Sequence, residues 1–157
     1  MLPRPVGGPG LQRPGDAAPL PRGRHVAVVA VTRPVLYVAG PYTHPDPSHN
    51  VHQAVTFAAH LMDHGLAWPL VPHLSMLWDA IAPRPYADWL ALDFALLERC
   101  DGLVRLPGVS TGADGETDWC DEQGVPWLAV PDAWGDLTFD LRLRSWIGSH
   151  WPREGLT

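Results

Sequence analysis

The chain contains no lysine; all eleven of its basic residues are arginine. That absence removes a Schiff-base lysine, a pyridoxal-phosphate anchor and a P-loop lysine together. Cysteine is almost missing too. Cys100 and Cys120 cannot make a disulfide framework or a zinc signature, so both read as small apolar packing residues, and a reducing cytoplasm is the expected compartment. No apolar run reaches the roughly 20 residues of a membrane span. Residues 25–31 are too short for one, and the Pro/Gly/Arg-rich stretch before them does not resemble a signal peptide. Positive charge is scarce as well. A net charge of −6 argues against a nucleic-acid polymer as partner, since duplex affinity is carried by Lys and Arg on phosphates. A single small nucleotide remains compatible with it.

What is present suits one globular domain: 157 residues, 46% of them hydrophobic and 18% charged, are enough for a single core. Residues 1–33 read as a flexible tail, because the first 24 carry six prolines and five glycines with little to bury. Val31-Thr32-Arg33-Pro34 would make an ordinary N-terminus if a valine codon served as start, which would leave residues 1–30 outside the native chain. The folded domain is expected over 34–157.

Val35-Leu36-Tyr37-Val38-Ala39 is a short apolar β-rich run closed by Gly40-Pro41, the pattern of a buried parallel strand. Residues 49–64 follow with helical spacing of Val51, Ala54, Val55, Ala58, Leu61 and Met62, and Gly65 stands where a helix C-terminus needs it. Residues 68–71 form a weaker strand, and 72–85 read as a long irregular connection. A helix over 86–100, a strand over 101–106, a glycine-bearing loop over 107–115, a short helix over 116–123, a strand over 126–130 and a last helix over 137–151 complete the order. Alternating strands and helices indicate an α/β domain with a doubly wound parallel sheet.

Ligands in such sheets bind beyond the carboxyl ends of the strands. The loop after Gly40, the loop 107–115 and Glu116 at the start of a helix all fall there. A helix N-terminus favours negative charge, so Glu116 is expected to stay ionised, as a carboxylate nucleophile must. Asp93 shares a helix face with Trp89, Leu96, Leu97 and Cys100. A carboxylate on an apolar stripe is costly unless paired or employed, and burial would raise its pKa. One ionised and one protonated carboxyl are the minimum for displacement at a glycosidic carbon. A plain structural reading stays open beside this one: Glu116 as a dipole-friendly acid, and Asp93 at the edge of the stripe or capping a neighbour.

Leu36-Tyr37-Val38-Ala39-Gly40-Pro41-Tyr42, then Asp93 in a helix ending at Cys100-Asp101, then Leu106-Pro107-Gly108-Val109-Ser110-Thr111-Gly112-Ala113-Asp114-Gly115-Glu116 together resemble the nucleoside 2-deoxyribosyltransferase superfamily. The resemblance covers roughly residues 35–130. It implies a flavodoxin-like fold and N-glycosidic chemistry on a nucleoside or nucleoside 5′-monophosphate, with hydrolysis favoured over base transfer. Glu116 then matches the nucleophile at C1′, Asp93 the acid that serves the departing base, and Tyr37 the tyrosine that hydrogen-bonds the nucleophile. Ser110 matches a serine that contacts a 5′-phosphate, and Gly40, Pro41, Tyr42, His73, Trp89, Gly108 and Gly112 are expected around the substrate. The resemblance also implies a homo-oligomer; no cofactor or metal is expected. The loop Pro41-Tyr42-Thr43-His44 lacks an arginine that related nucleotide hydrolases carry, so phosphate and free hydroxyl at C5′ both stay open.

Other readings compete. Gly108-Val109-Ser110-Thr111-Gly112 matches the G-x-S-x-G elbow of an esterase-type hydrolase with His150 downstream. His60 and His64, four apart on a helix, invite a metal, although no H-E-x-x-H pattern accompanies them. A non-catalytic nucleotide-sensing module on the same fold is the alternative outside enzymology. A phosphoribohydrolase loop, P-G-G-x-G-T-x-x-E, fits residues 107–116 only in part.

Overall fold

Residues Val35–Ala39 (β1) carry the logic of the fold, because their side chains alternate between two cores. Leu36 and Val38 enter one apolar cluster and Tyr37 and Ala39 the other, all fully buried. A strand buried on both faces must sit mid-sheet. The computed structural model, which describes residues 33–152, places it there: the four strands lie in the order β2-β1-β3-β4 and every pairing is parallel. The other strands are Trp68–Leu70 (β2), Gly102–Arg105 (β3) and Trp127–Ala129 (β4). This is a flavodoxin-like, doubly wound α/β sheet, and the described residues lie within one compact unit. Most of the expected tail, and the alternative start, lie outside the described residues.

Helices cover both faces. Pro47–Asp63 (α1) and Leu137–His150 (α5) bury Ala54, Phe57, Leu61, Phe139, Leu143 and Ile147 against Leu36, Val38, Val104 and Leu128. Tyr86–Leu97 (α3) and Thr111–Gln123 (α4) close the opposite face with Leu97, Ala113 and Cys120. Local signals set the ends. Asp46 caps α1 by accepting from His49 N at 2.8 Å with Pro47 just inside, Asp136 caps α5 in the same way at 2.7 Å, and Gly65 (φ +64°) follows α1. Gly102 is obligatory in β3, because a Cβ there would lie 2.7 Å from the Trp151 ring and 2.8 Å from the Pro126 carbonyl.

Two expectations fail here. Residues 72–85 are not one irregular connection. Pro72–Leu74 makes a 3-10 turn and Ser75–Ile81 a short helix (α2), leaving only 82–85 irregular. The spacing of Leu74, Leu77, Trp78 and Ile81 is helical, but the stripe faces outward, with each residue more than half exposed. Second, α4 begins at Thr111 rather than at Glu116, because Ser110 is a working N-cap whose hydroxyl accepts from Ala113 N at 3.2 Å. Glu116 therefore sits in the second turn, away from the N-terminal dipole.

Candidate active site

β1 and β3 are neighbours whose crossovers run to opposite edges of the sheet, so their carboxyl ends open a crevice at the switch point. A cavity of about 530 Å³ fills it. Gly40, Tyr42, Thr43 and His44 line it from the β1 side, and Val109 to Ala113 with Glu116 from the β3 side. The 3-10 turn contributes Pro72 and His73, and the α2–α3 hairpin contributes Ser75, Asp79, Arg84, Tyr86, Trp89, Leu90 and Asp93.

Glu116 and Asp93 thus share one cavity. Glu116 is 6% exposed, and Oε1 accepts a 2.6 Å hydrogen bond from the hydroxyl of Tyr37, which is fully buried beneath the cavity. Burial pushes the Glu116 carboxyl up to about 7. The Tyr37 hydrogen bond and the Arg105 charge pull it down, and the nearby Asp93 pushes it further up. Sequence reasoning from the helix dipole expected the opposite; with Glu116 a full turn inside α4, desolvation outweighs any end effect. Half-buried Asp93 is itself pushed up to about 6 by burial. Tyr37 is raised far above the ordinary phenol range, by burial first and then by the Glu116 charge, so it stays a donor. The floor of the cavity therefore holds two carboxyls that exchange protons near neutral pH and a phenol that orients one of them.

His73 is 4% exposed and donates from Nε2 to the Pro41 carbonyl at 3.0 Å. A carbonyl only accepts, so the proton is on Nε2 and Nδ1 is an acceptor, buried without a hydrogen-bond partner among the described residues. Burial lowers its pKa and keeps the ring neutral. Trp89 is anchored by donating from Nε1 to Asp79 Oδ1 at 2.9 Å, with Trp78 edge-on to it at 5.2 Å between ring centroids. Asp79 Oδ1 also accepts from the Arg84 N–H at 3.3 Å, which pins the turn between α2 and α3.

Of the expected substrate residues, Gly40, Tyr42, His73, Trp89, Ser110 and Gly112 line this cavity, together with Glu116 and Asp93. Pro41 and Gly108 do not. They face a second cleft of about 390 Å³, with His49, Asn50, Gln53 and Asp132, and His44 and Val109 border both spaces. Gly108 adopts φ +110°, and a Cβ there would lie 2.7 Å from Pro41 Cγ. Asp79, Arg84 and Tyr86 were missed by the sequence reading; the helical spacing of Leu74 to Ile81 was the signal that could have located their hairpin.

The competing constellations separate in space. The Ser110 hydroxyl is engaged as the α4 cap, and among the described residues no histidine hydrogen-bonds to it; His150 Nδ1 instead bonds the Trp146 carbonyl on α5. His60 pairs with Asp140 at 2.9 Å and lies tilted against His64 with ring centroids 4.2 Å apart, away from the cavity lining. Among the described residues no group of three or more His, Cys, Asp or Glu side chains is placed to hold a metal ion, and no helix is long and apolar enough to cross a membrane. No protein-family model matches the chain, and no curated protein does.

Proposed function

We propose that this protein is an N-glycosidase that cleaves the base–sugar bond of a nucleoside or nucleoside 5′-monophosphate. The observation that carries the reading is the 2.6 Å Tyr37–Glu116 hydrogen bond on the floor of a cavity that Asp93 also lines. Glu116, when ionised, attacks C1′ as the glycosidic bond breaks; the electron pair of that bond leaves with the base, which takes a proton from Asp93. The resulting glycosyl ester is opened by water, with hydrolysis favoured over a second base. Tyr37 holds Oε1 and leaves the other carboxylate oxygen free to attack. Trp89 and Tyr42 offer aromatic faces of the size a base requires.

A 5′-phosphate gains support from Arg84. Its guanidinium makes no hydrogen bond or ion pair among the described residues, and it lines the same cavity as the α4 N-terminus with Ser110 and Gly112. A free cation and a helix N-terminus are the two elements of an anion site. The α2–α3 connection would thereby supply the arginine that the loop after β1 lacks. A homo-oligomer is part of the proposal, because Leu74, Leu77, Trp78, Ile81 and Tyr86 leave an apolar strip more than half exposed.

The test is base release, followed by chromatography, from a panel of nucleosides and 5′-monophosphates with wild type and Glu116→Ala. Release by the wild type alone supports the reading, and Arg84→Met should then weaken use of monophosphates but not of nucleosides. No release from any member, even with a second base as acceptor, overturns it in favour of a nucleotide-sensing module. Sedimentation of the wild type checks the oligomer; a monomer at micromolar concentration removes that part.

A further inference from the structure

Arg105 closes β3 just ahead of the loop that lines the cavity, with a side chain only 12% exposed. Nη1 donates to the Leu106 carbonyl. Nη2 donates to the Gly108 carbonyl and to Asp114 Oδ1, both at 2.9 Å. One planar guanidinium therefore joins the end of the strand, the turn at Gly108 with its φ of +110°, and the first turn of α4. The chain between those anchors, Val109 to Ala113, forms one wall of the cavity, and Glu116 follows Asp114 by two residues.

The charges around Glu116 make the same residue matter a second way. Tyr37 faces it from β1, Asp93 from α3, Cys120 from one turn further along α4, and Arg105 from β3. Among these groups Arg105 is the cation, and Arg84 of the α2–α3 connection lines the same cavity. A cavity with two carboxyls resists holding both as anions, and a nearby fixed positive charge offsets that resistance. Asp114 cannot cancel this role fully, because its carboxylate is 61% exposed and solvent screens the pair.

We propose that Arg105 is a positioning residue: it locks the turn that leads into the cavity wall, and it supplies a fixed cationic charge near Glu116. The proposal rests on Glu116 being the reactive carboxylate of the reading above. Its test reads Glu116 and the loop directly, so it does not depend on turnover.

The experiment is a carbon-13 NMR titration of glutamate-labelled protein, with the Glu116 signal assigned by Glu116→Gln, alongside amide exchange of residues 107–113. Arg105→Met should move the Glu116 midpoint upward by at least about half a pH unit and speed exchange in the loop about tenfold or more. Arg105→Lys keeps the charge without the three-bond grip, so its midpoint should stay near wild type while exchange still rises. A wild-type midpoint in Arg105→Met, or unchanged exchange in Arg105→Lys, overturns the proposal. Should Arg105→Met not fold, the exchange arm of Arg105→Lys carries the test; exchange in residues 107–113 that stays at the wild-type rate refutes the idea. Absence of base release with these shifts present counts against the glycosidase reading and not against Arg105.

Discussion

The hydroxyl of Tyr37 and Oε1 of Glu116 meet at 2.6 Å across a sequence separation of 79 residues. The bond ties the central strand to the helix on one face of the sheet, and it selects which carboxylate oxygen is occupied. Tyr37→Phe removes it without changing shape. Because the bond pulls the Glu116 pKa down, its loss should raise that pKa further. Base release at neutral pH should fall about 10- to 100-fold, the worth of one hydrogen bond to a charged group. Unchanged rate and unchanged pH profile would show the contact to be only structural.

Stability should fall as pH rises through the carboxyl range. Glu116 moves from an ordinary 4.5 to about 7 on folding, and Asp93 from 3.8 to about 6. Between those limits the native state binds more protons than the unfolded chain, so the slope of unfolding free energy with pH is negative. For Glu116 the loss between pH 5 and 8 should be about 2–3 kcal/mol. Urea unfolding at both pH values checks it, and Glu116→Gln should flatten most of the decline. A wild type that is more stable at pH 8 than at pH 5 would contradict the buried-carboxyl assignment.

The two carboxyls titrate as a pair, so the pH profile of kcat/KM should be a narrow bell with limbs near 6 and 7 that belong to both. Asp93→Asn should lower the Glu116 pKa by removing a neighbouring negative charge. It should also erase the alkaline limb and leave a simple rise. Persistence of both limbs in that variant would assign the acid to another group.

Ser110→Ala should cost about 1 kcal/mol of stability through loss of the α4 cap. Under the glycosidase reading it should weaken use of 5′-monophosphates more than use of nucleosides. Complete loss of an ester-cleaving activity on the same substitution would instead revive the serine-hydrolase alternative.

Gly108→Ala should destabilise the fold by about 1–3 kcal/mol, since the turn needs φ +110° and a Cβ would meet Pro41 at 2.7 Å. Urea midpoints measure it. A neutral effect would mean that the packing of Gly108 on Pro41 yields easily.

Much of this site was visible before folding. Asp93 stood out because a carboxylate on a stripe with Trp89, Leu96 and Leu97 is costly unless paired or employed, and it lines the cavity. His73 stood out by following a strand, and it does line the cavity, buried and neutral. Arg84 and Asp79 were invisible because 72–85, bracketed by prolines, read as featureless loop. Pro41 and Gly108 were assigned to the substrate by their place in motifs, yet they pack on each other. A motif locates a loop, but not which side of it faces the ligand.

Short-range physics is what the chain alone determined: an apolar run at β1, helical periodicity in α1 and α3, a stop at Gly65, and hence an α/β order with ligand-facing loops beyond β1 and β3. Those signals act over a few residues and survive without knowledge of neighbours. The resemblance already implied a hydrogen bond from Tyr37 to Glu116, whereas only the tertiary structure decided the raised pKa of Glu116 and the arrival of Arg84 and Arg105 around the same crevice. Each depends on desolvation and on distances between residues far apart in sequence, and a carboxyl that local helix geometry would keep ionised is instead held near 7 by the burial that folding imposes.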